Sequence, residues 1–422
     1  SGFTAKQGEL KSFVIKTPMV SESDEMIITF DNSLTVDEQL EVLEELGYQV
    51  LSNVAILNAY LVKPLAENPR EAVFRANSFS GVRYAGANTP LHLLSVTYPN
   101  DPYYSDQWHY PLIRLPQAWT VTTGDNRIRV AVLDSGVKID HPELQSRLDF
   151  DYGFNFIAWN HNFDDDNGHG THVAGTIGAV TNNGQAVAGV MWDVDILPLK
   201  VLDSAGSGDT WSLAMALLYA AGLLDQDGMP FNPYPADVIN LSLGTSARDD
   251  FLSDTIEYVL DYSDTLIVAA AGNDGGPVNY PAAFPGVIAV GAVDYNYPNT
   301  PRLAPYSSWG HELDLVAPGG DVSVDSNADG FADGVLSTYF NESGDPEYWF
   351  LQGTSMAAPH VSGVIGLMLA AGIPSNQVID ILHRTSTPLG EYDFSPYHGY
   401  GLINAYWAVN AVDKMRVILG VQ

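Results

Sequence analysis

Ser355 sits in the segment Gly353-Thr354-Ser355-Met356-Ala357-Ala358-Pro359-His360, where a Gly-Thr turn leads into small residues suited to a close-packed helix. A hydroxyl is a poor nucleophile at neutral pH, so such a serine needs an adjacent general base and a third group that orients the base. Upstream, "RVAVLDSGV" offers Asp134 and "DNGHGTHVAGT" offers His169. Singly these are weak signals, because an Asp after an apolar run often caps a helix and a His at a helix start is often structural. In the order Asp, His, Ser they are the parts needed for covalent acyl transfer.

The elements that would carry them are legible in the apolar runs. From about residue 101 onward, "IRVAVLD", "HVAGTIGAV", "DILPLKVL", "WSLAMALLYAAGLL", "DVINLSLG", "TIEYVLDYS", "TLIVAAAGN" and "VIAVGAV" alternate strand and helix signals. Continuous rather than alternating apolar strands imply burial on both faces. They predict an α/β domain with a mostly parallel sheet flanked by helices and a site beyond the carboxyl ends of strands. Asp134, Ser242 and Asn273 each come at the end of such a run.

Residues 26 to 85 read differently, as a small α+β unit of βαββαβ, ferredoxin-like order. In "TVDEQLEVLEEL" the residues Val36, Leu40, Leu43 and Leu46 recur every three or four positions and predict one apolar stripe. The turn-rich stretch "GANTPLHLLSVTYPNDPYYSDQW" reads as a linker. The organisation expected is therefore an N-terminal unit over 1–90, a linker over 91–100 and a catalytic α/β domain over 101–422.

Composition narrows the partners. With 51 acidic residues against 18 basic ones and a formal net charge of −33, attraction to nucleic acid or an anionic membrane is not expected. Cysteine is absent, so neither disulfides nor thiolate metal sites hold the fold. No apolar stretch approaches the ~20 residues of a membrane helix. "SGFTAKQGEL" lacks the apolar core of a signal peptide, so a secreted chain would already have lost its export signal.

The three motifs, in this order and context, resemble those of the subtilisin-like serine proteases, or subtilases, over residues 100 to 412. The resemblance implies a secreted, monomeric endopeptidase acting on proteins or peptides, with Ser355 as nucleophile, His169 as base and Asp134 as its orienter. Asn273 in "VAAAGNDG" would join the Ser355 amide as an oxyanion donor. His172 and His360 would be structural. Ser242, Leu243 and Gly244 would form one substrate edge and a pocket wall, and Ala270, Ala271 and Gly272 the facing wall. Asn279 would lie near the base of a roomy, uncharged pocket for large apolar side chains. Gly206, Ser207 and Gly208 would form the opposing strand. The N-terminal unit would be the chain's own inhibitory propeptide, cut near Leu91, Leu93, Leu94 or Tyr98.

Calcium is the cofactor implied. "PNDPYY", "HPEL" and "AVTNNGQAVAG" resemble the strong site of thermitase-like subtilases, with side chains from Asp101, Glu143 and Asn183 and carbonyls from Val180, Gln185 and Val187. Glu143 stands where that family commonly has Asp. "DSNADGFADG" resembles half of an EF-hand loop, with Asp325, Asn327 and Asp329 at alternate positions, Leu336 where the closing Glu belongs, and Asp333 as a substitute. A solvated acidic loop is the alternative reading. Asp164, Asp165 and Asp166 form a third, weaker cation site or a charged turn. The stretches 225–235 and 321–352 read as inserted surface loops. A catalytically silent binding protein on this frame is the alternative, although such a protein would normally lack one of Asp134, His169, Asn273 and Ser355. Metal-dependent hydrolysis through His161, His169 and His172 lacks an HExxH pattern.

Overall fold

The computed structural model describes residues 25–65, 69–88, 96–296, 301–326, 328–390 and 394–411. Leu91, Leu93 and Leu94 of the expected cleavage segment, and Asn327 of the acidic loop, lie outside the described residues. The chain divides into two compact units, Ser1–Leu94 and Ser95–Gln422.

In the first unit β1 (Met26–Phe30), α1 (Val36–Glu45), β2 (Tyr48–Val54), β3 (Ala59–Pro64), α2 (Pro69–Asn77) and β4 (Val82–Ala87) form a βαββαβ unit. Its sheet is antiparallel in the order β2-β3-β1-β4. Met26, Ile28 and Phe30 alternate inward along β1, as a half-buried strand requires. Thr35 and Glu38 close a reciprocal capping box that starts α1. The predicted stripe on this helix is wrongly phased: Leu43 and Leu46 are buried, but Val36 and Leu40 are exposed. The inner face runs instead through Gln39. Its amide donates to the Leu34 carbonyl (3.0 Å) and accepts from the Tyr60 hydroxyl (3.0 Å), so a polar residue is stable there.

The second unit begins with two short helices, α3 (His109–Leu112) and α4 (Leu115–Ala118). There follow β5 (Gly124–Asp134), β6 (Phe154–Asn155), α5 (His169–Gly178), β7 (Asp193–Lys200), α6 (Thr210–Ala220), β8 (Val238–Leu241), α7 (Asp250–Tyr262), β9 (Leu266–Ala270) and β10 (Ile288–Asp294). Next come β11 (Arg302–Leu303), β12 (Leu315–Pro318), β13 (Val335–Phe340), β14 (Pro346–Leu351), α8 (Thr354–Ala370), α9 (Ser375–Thr385) and α10 (Ala405–Val409). The main sheet runs β11-β10-β9-β8-β5-β7-β6, with β12 also paired to β10. Every pairing in it is parallel except β10 with β11. All residues of β8, β9 and β10 are buried, which is why their sequences are unbroken apolar runs.

Helix α8 crosses the centre of this unit against β5, β8, β9, β10 and β12, and Met356 through Met368 are all buried. Its small residues are spacing devices. A Cβ on Gly363 would lie 2.7 Å from Val190 Cβ.

Residues 321–352 are not merely a surface insertion. They contain the β13–β14 hairpin, in register from Val335↔Leu351 to Phe340↔Pro346, and β13 buries Val335, Leu336, Ser337 and Thr338 against α5. Ser337 and Thr338 interrupt the run Val-Leu-Ser-Thr-Tyr-Phe and remove any continuous apolar signal, so the sequence pattern hid a buried strand. Residues 225–235 do lack helix and strand, although Asn232 is buried and donates to the Tyr219 carbonyl (3.1 Å).

Substituting Gly363→Ala should overpack α8 against Val190 and cost about 1–3 kcal/mol. A lower urea midpoint at constant m-value is the expected result; an unchanged midpoint would show that α8 and Val190 can separate freely.

Candidate active site

Three strand ends and two helix starts converge here. Asp134 closes β5 and is completely buried, with Oδ1 accepting from the Ser135 amide (2.7 Å) and from His169 Nδ1 (2.8 Å). Because Nδ1 carries the donated proton, Nε2 is left with a free lone pair, the tautomer a general base needs. The His169 side chain is 28% exposed, so it meets solvent while its partner does not. Burial pushes the His169 pKa down, but the Asp134 charge, its hydrogen bond and the charge of Asp165 outweigh that and hold it above the ordinary value.

The start of α5 is secured by Asp165, which is buried rather than part of a solvated turn. Its carboxylate accepts from the amides of Asn167 (3.0 Å), Gly168 (3.0 Å) and Thr171 (2.9 Å), and from the hydroxyls of Thr171 (2.6 Å) and Ser135 (2.9 Å). The sequence reading missed this role, although an Asp three residues before a glycine that opens a helix is a recognisable capping signal. Asp164 pairs with Lys138 (3.3 Å) and Asp166 with Lys200 (2.7 Å). All three carboxylates are thus engaged by protein groups, and Asp165 is buried where a charged surface turn would expose it.

Ser355 lies in the first turn of α8 and is tied to the end of β8. Its hydroxyl donates to the Ser242 carbonyl (3.0 Å), and the Ser242 hydroxyl donates to the Ser355 carbonyl (2.8 Å). Behind them Asn240 donates to Ser242 Oγ (2.9 Å) and accepts from Ser362 (2.8 Å). The Ser355 hydroxyl therefore rests on a carbonyl rather than on His169. His169 and Ser242 nevertheless line one cleft, together with Asn167, Gly206, Ser207, Gly208, Leu243, Gly244 and Tyr280. A turn about the Ser355 side-chain bond redirects the hydroxyl, and such contacts are often loose without substrate.

Asn273 is exposed, and its Oδ1 accepts from the amide (2.9 Å) and hydroxyl (3.0 Å) of Thr354. That fixes its NH₂ on the opposite side. A Cβ built on Gly353 would lie 3.5 Å from Asn273 Nδ2 and 3.6 Å from the Ser355 amide, so both donors border the space that this glycine leaves open.

Ala270 ends β9, and Ala271 and Gly272 follow it beside Asn279. The Asn279 amide donates to the Ala271 carbonyl (2.8 Å), and a Cβ on Gly272 would lie 2.6 Å from Asn279 Nδ2. A Cβ on Gly244 would lie 3.8 Å from Asn279 Cβ, so both expected walls reach this residue. The uncharged base needs correction: Asn279 Nδ2 donates to Asp274 Oδ2 (2.8 Å), which brings a carboxylate to the region.

His172 and His360 are buried, as is His109. His172 Nε2 meets the carbonyls of Val335 (3.0 Å) and Trp349 (3.1 Å), while His360 joins the Met356 carbonyl (2.8 Å) and His109 Nδ1 (2.8 Å). Burial lowers all three, to about 3 for His172, about 4 for His360 and well below the ordinary value for His109. His161 instead contacts the Gly153 carbonyl (3.1 Å). Among the described residues no group of three or more His, Asp or Glu is gathered for a metal, so the three-histidine arrangement does not form.

Asp101 and Glu143 are both buried beside Asn183. Asp101 accepts from the amides of Asn182 (2.7 Å) and Asn183 (3.2 Å), and Asn183 Nδ2 lies 3.3 Å from Glu143 Oε2. Burial raises Asp101. It pushes Glu143 up to about 7, opposed by the Asn183 amide and reinforced by the Asp101 charge. In the acidic loop, Asp325 accepts from the amides of Asp329 (3.2 Å) and Gly330 (3.2 Å), Asp329 from Phe331 (2.9 Å), and the buried Asp333 from Ser326 (2.7 Å). This loop is closed by its own backbone.

The subtilase family profile matches residues 125–401. The chain is 33% identical to the thermophilic serine proteinase of Bacillus sp. (strain AK1) over 390 residues, covering 91% of this chain and 87% of that one. It is 34% identical to thermitase of Thermoactinomyces vulgaris over 313 residues, covering 74% and 99% respectively. The solved structure of a protease from Pseudoalteromonas arctica superposes with a TM-score of 0.66 at 34% identity, over 74% of this chain and 99% of that one. The chain belongs to the subtilase family. Its activity is that of a subtilisin-like serine endopeptidase.

The buried imidazoles make the fold acid-sensitive. Each is neutral when folded and takes up a proton on unfolding once the pH is below about 6.5, so their contribution is complete above that pH and is lost as pH falls. The buried His141, lowered to about 4 by burial, belongs with them, and four such groups give a slope of up to about 5 kcal/mol per pH unit between pH 6 and 4. The raised carboxylates Asp101, Glu143 and Asp165 act in the opposite sense. Urea midpoints across this range should therefore depend less on pH, by about one proton, in His360→Gln than in the wild type.

Proposed function

We propose that Asp134, His169 and Ser355 form the triad of this endopeptidase. The observation that carries the reading is the 2.8 Å contact between buried Asp134 and the partly exposed His169, which lines the same cleft as Ser242, the residue bonded to the nucleophile. Ser355 Oγ bonds to the scissile carbonyl carbon as its proton passes to His169 Nε2. The carbonyl electron pair becomes an oxyanion held by the Ser355 amide and Asn273 Nδ2. On collapse, His169 returns the proton to the departing amine, leaving an acyl-Ser355 ester. Water then repeats the sequence to release the acid. Extended substrate backbone lies between Gly206–Gly208 and Ser242–Gly244 by strand addition. Large apolar side chains enter between Ser242–Gly244 and Ala270–Gly272, with Asn279 and Asp274 at their end.

A cation fits Asp101, Glu143 and Asn183. Two buried carboxylates with no Lys, Arg or His ion pair among the described residues are otherwise uncompensated. Calcium there, completed by the Val180, Gln185 and Val187 carbonyls, would neutralise both and crosslink the chain near residue 101 to the segment after α5. The acidic loop of Asp325, Asp329 and Asp333 has weaker support, because its carboxylates already serve backbone amides. The N-terminal βαββαβ unit is read as an inhibitory propeptide cut between residues 91 and 98. Secretion is supported by relatives named as extracellular proteases, and among the described residues no single helix is long and apolar enough to cross a membrane.

A fluorophosphonate should label Ser355, and Ser355→Ala should abolish labelling and cleavage between residues 91 and 98. Asn273→Ala should lower kcat about 10²–10³-fold, the range established for loss of this kind of donor in subtilisin itself. Normal processing of Ser355→Ala would exclude self-cleavage. Removing bound calcium with EDTA should lower Tm in the wild type and much less in Glu143→Gln; equal curves would reject the site.

A further inference from the structure

We propose that Tyr339, on the β13–β14 hairpin, is a positioning residue for the proposed base His169 and for one wall of the substrate cleft. The inference rests on the reading of His169 as base.

Gly168 directly precedes His169 and has φ +103°, a conformation open mainly to glycine. Its missing side chain is used: a Cβ there would overlap the Tyr339 ring, which packs over the turn. The Tyr339 hydroxyl donates to the Asn167 carbonyl (3.3 Å). Asn167 is a branch point. Its Oδ1 accepts from the His169 amide (3.2 Å), and its Nδ2 donates to the Ser204 carbonyl (3.1 Å), just before the Gly206–Gly208 edge. Fixing Asn167 therefore fixes the base and the cleft wall together.

The turn is held from two directions. Asp165 takes the amides of Asn167 and Gly168, and Tyr339 takes the carbonyl between them. Tyr339 can act in this way because its hairpin is locked to α5. Ser337 Oγ donates to the His172 carbonyl (2.8 Å), Thr338 Oγ1 donates to the Thr171 carbonyl (2.8 Å), and His172 Nε2 bonds back to Val335 and Trp349. Trp349 packs on Tyr339 with ring centroids 5.7 Å apart, and its indole donates to Glu347 (2.9 Å). None of these groups is needed to hold α5 as a helix. They set where its first residue stands.

The test compares Tyr339→Phe, which keeps the ring and loses the hydroxyl, with Tyr339→Leu, which loses both. The readout is the rate constant for fluorophosphonate labelling of Ser355 from pH 5 to 9, alongside kcat and KM on a peptide and the urea midpoint. Labelling and kcat should fall roughly 3–10-fold in Tyr339→Phe and 10–100-fold in Tyr339→Leu, as expected for small displacements of a reacting group. The acid inflection should move to lower pH as His169 loosens from Asp134, while the midpoint of Tyr339→Phe stays near wild type. Wild-type labelling and inflection in Tyr339→Phe would overturn the inference, even if stability falls. Failure of the wild-type protein to label would overturn the reading of the site and this inference with it.

Discussion

A carboxylate removed from water governs the design of the catalytic unit. Asp134 has no exposed surface, and His169 Nδ1 is its only side-chain partner among the described residues. A buried carboxylate is costly unless compensated, and the nearest compensation is the His169 imidazole, which in the triad proposed above carries charge in the transition state. Much of the surrounding architecture keeps that pair aligned. Strand β5 brings Asp134 to the carboxyl end of the sheet, Asp165 fixes the first turn of α5, and the close packing of α8 delivers Ser355 to the end of β8.

The fold class was largely legible because burial on both sheet faces forces unbroken apolar strands, and those are conspicuous in a sequence. The residues at the strand ends were equally visible. What the sequence concealed has a common cause: polar residues made acceptable by hydrogen-bond partners, near or far in the chain, that only the folded backbone brings into place. Gln39 was invisible as a core residue because only the Leu34 carbonyl and the Tyr60 hydroxyl make it acceptable there. Asp165 looked like its charged neighbours until its five donors were seen. The β13 strand was hidden by Ser337 and Thr338, whose hydroxyls are buried because they bond carbonyls on α5. Periodicity reports which faces are apolar and is silent on polar groups satisfied across the fold. Asp274 eluded the pocket reading because its bond to Asn279 forms only once the intervening turn folds.

Two solutions to buried negative charge stand side by side. Asp165 is met by amides and hydroxyls and keeps a closed network without a counter-charge. Asp101 and Glu143 have amides too, but Asn183 contacts Glu143 only at long range and the two carboxylates repel. The contrast is physical. A single carboxylate can be solvated by backbone dipoles, whereas an adjacent pair raises its own pKa and is relieved by a proton or by a cation.

The hairpin joins α8 through only Gln352 and Gly353, so the element that grips α5 is covalently continuous with the segment bearing Ser355. Its strands cannot slip by one residue without taking Ser337 and Thr338 off the α5 carbonyls they bond and turning Tyr339 away from the Gly168 turn. The tip is different. Residues 341–345 form an exposed turn bonded mainly to itself around Asn341. Variation in chain length is therefore tolerable at this tip and nowhere else along the hairpin, making it a natural place to graft a foreign peptide without disturbing the machinery a few residues away.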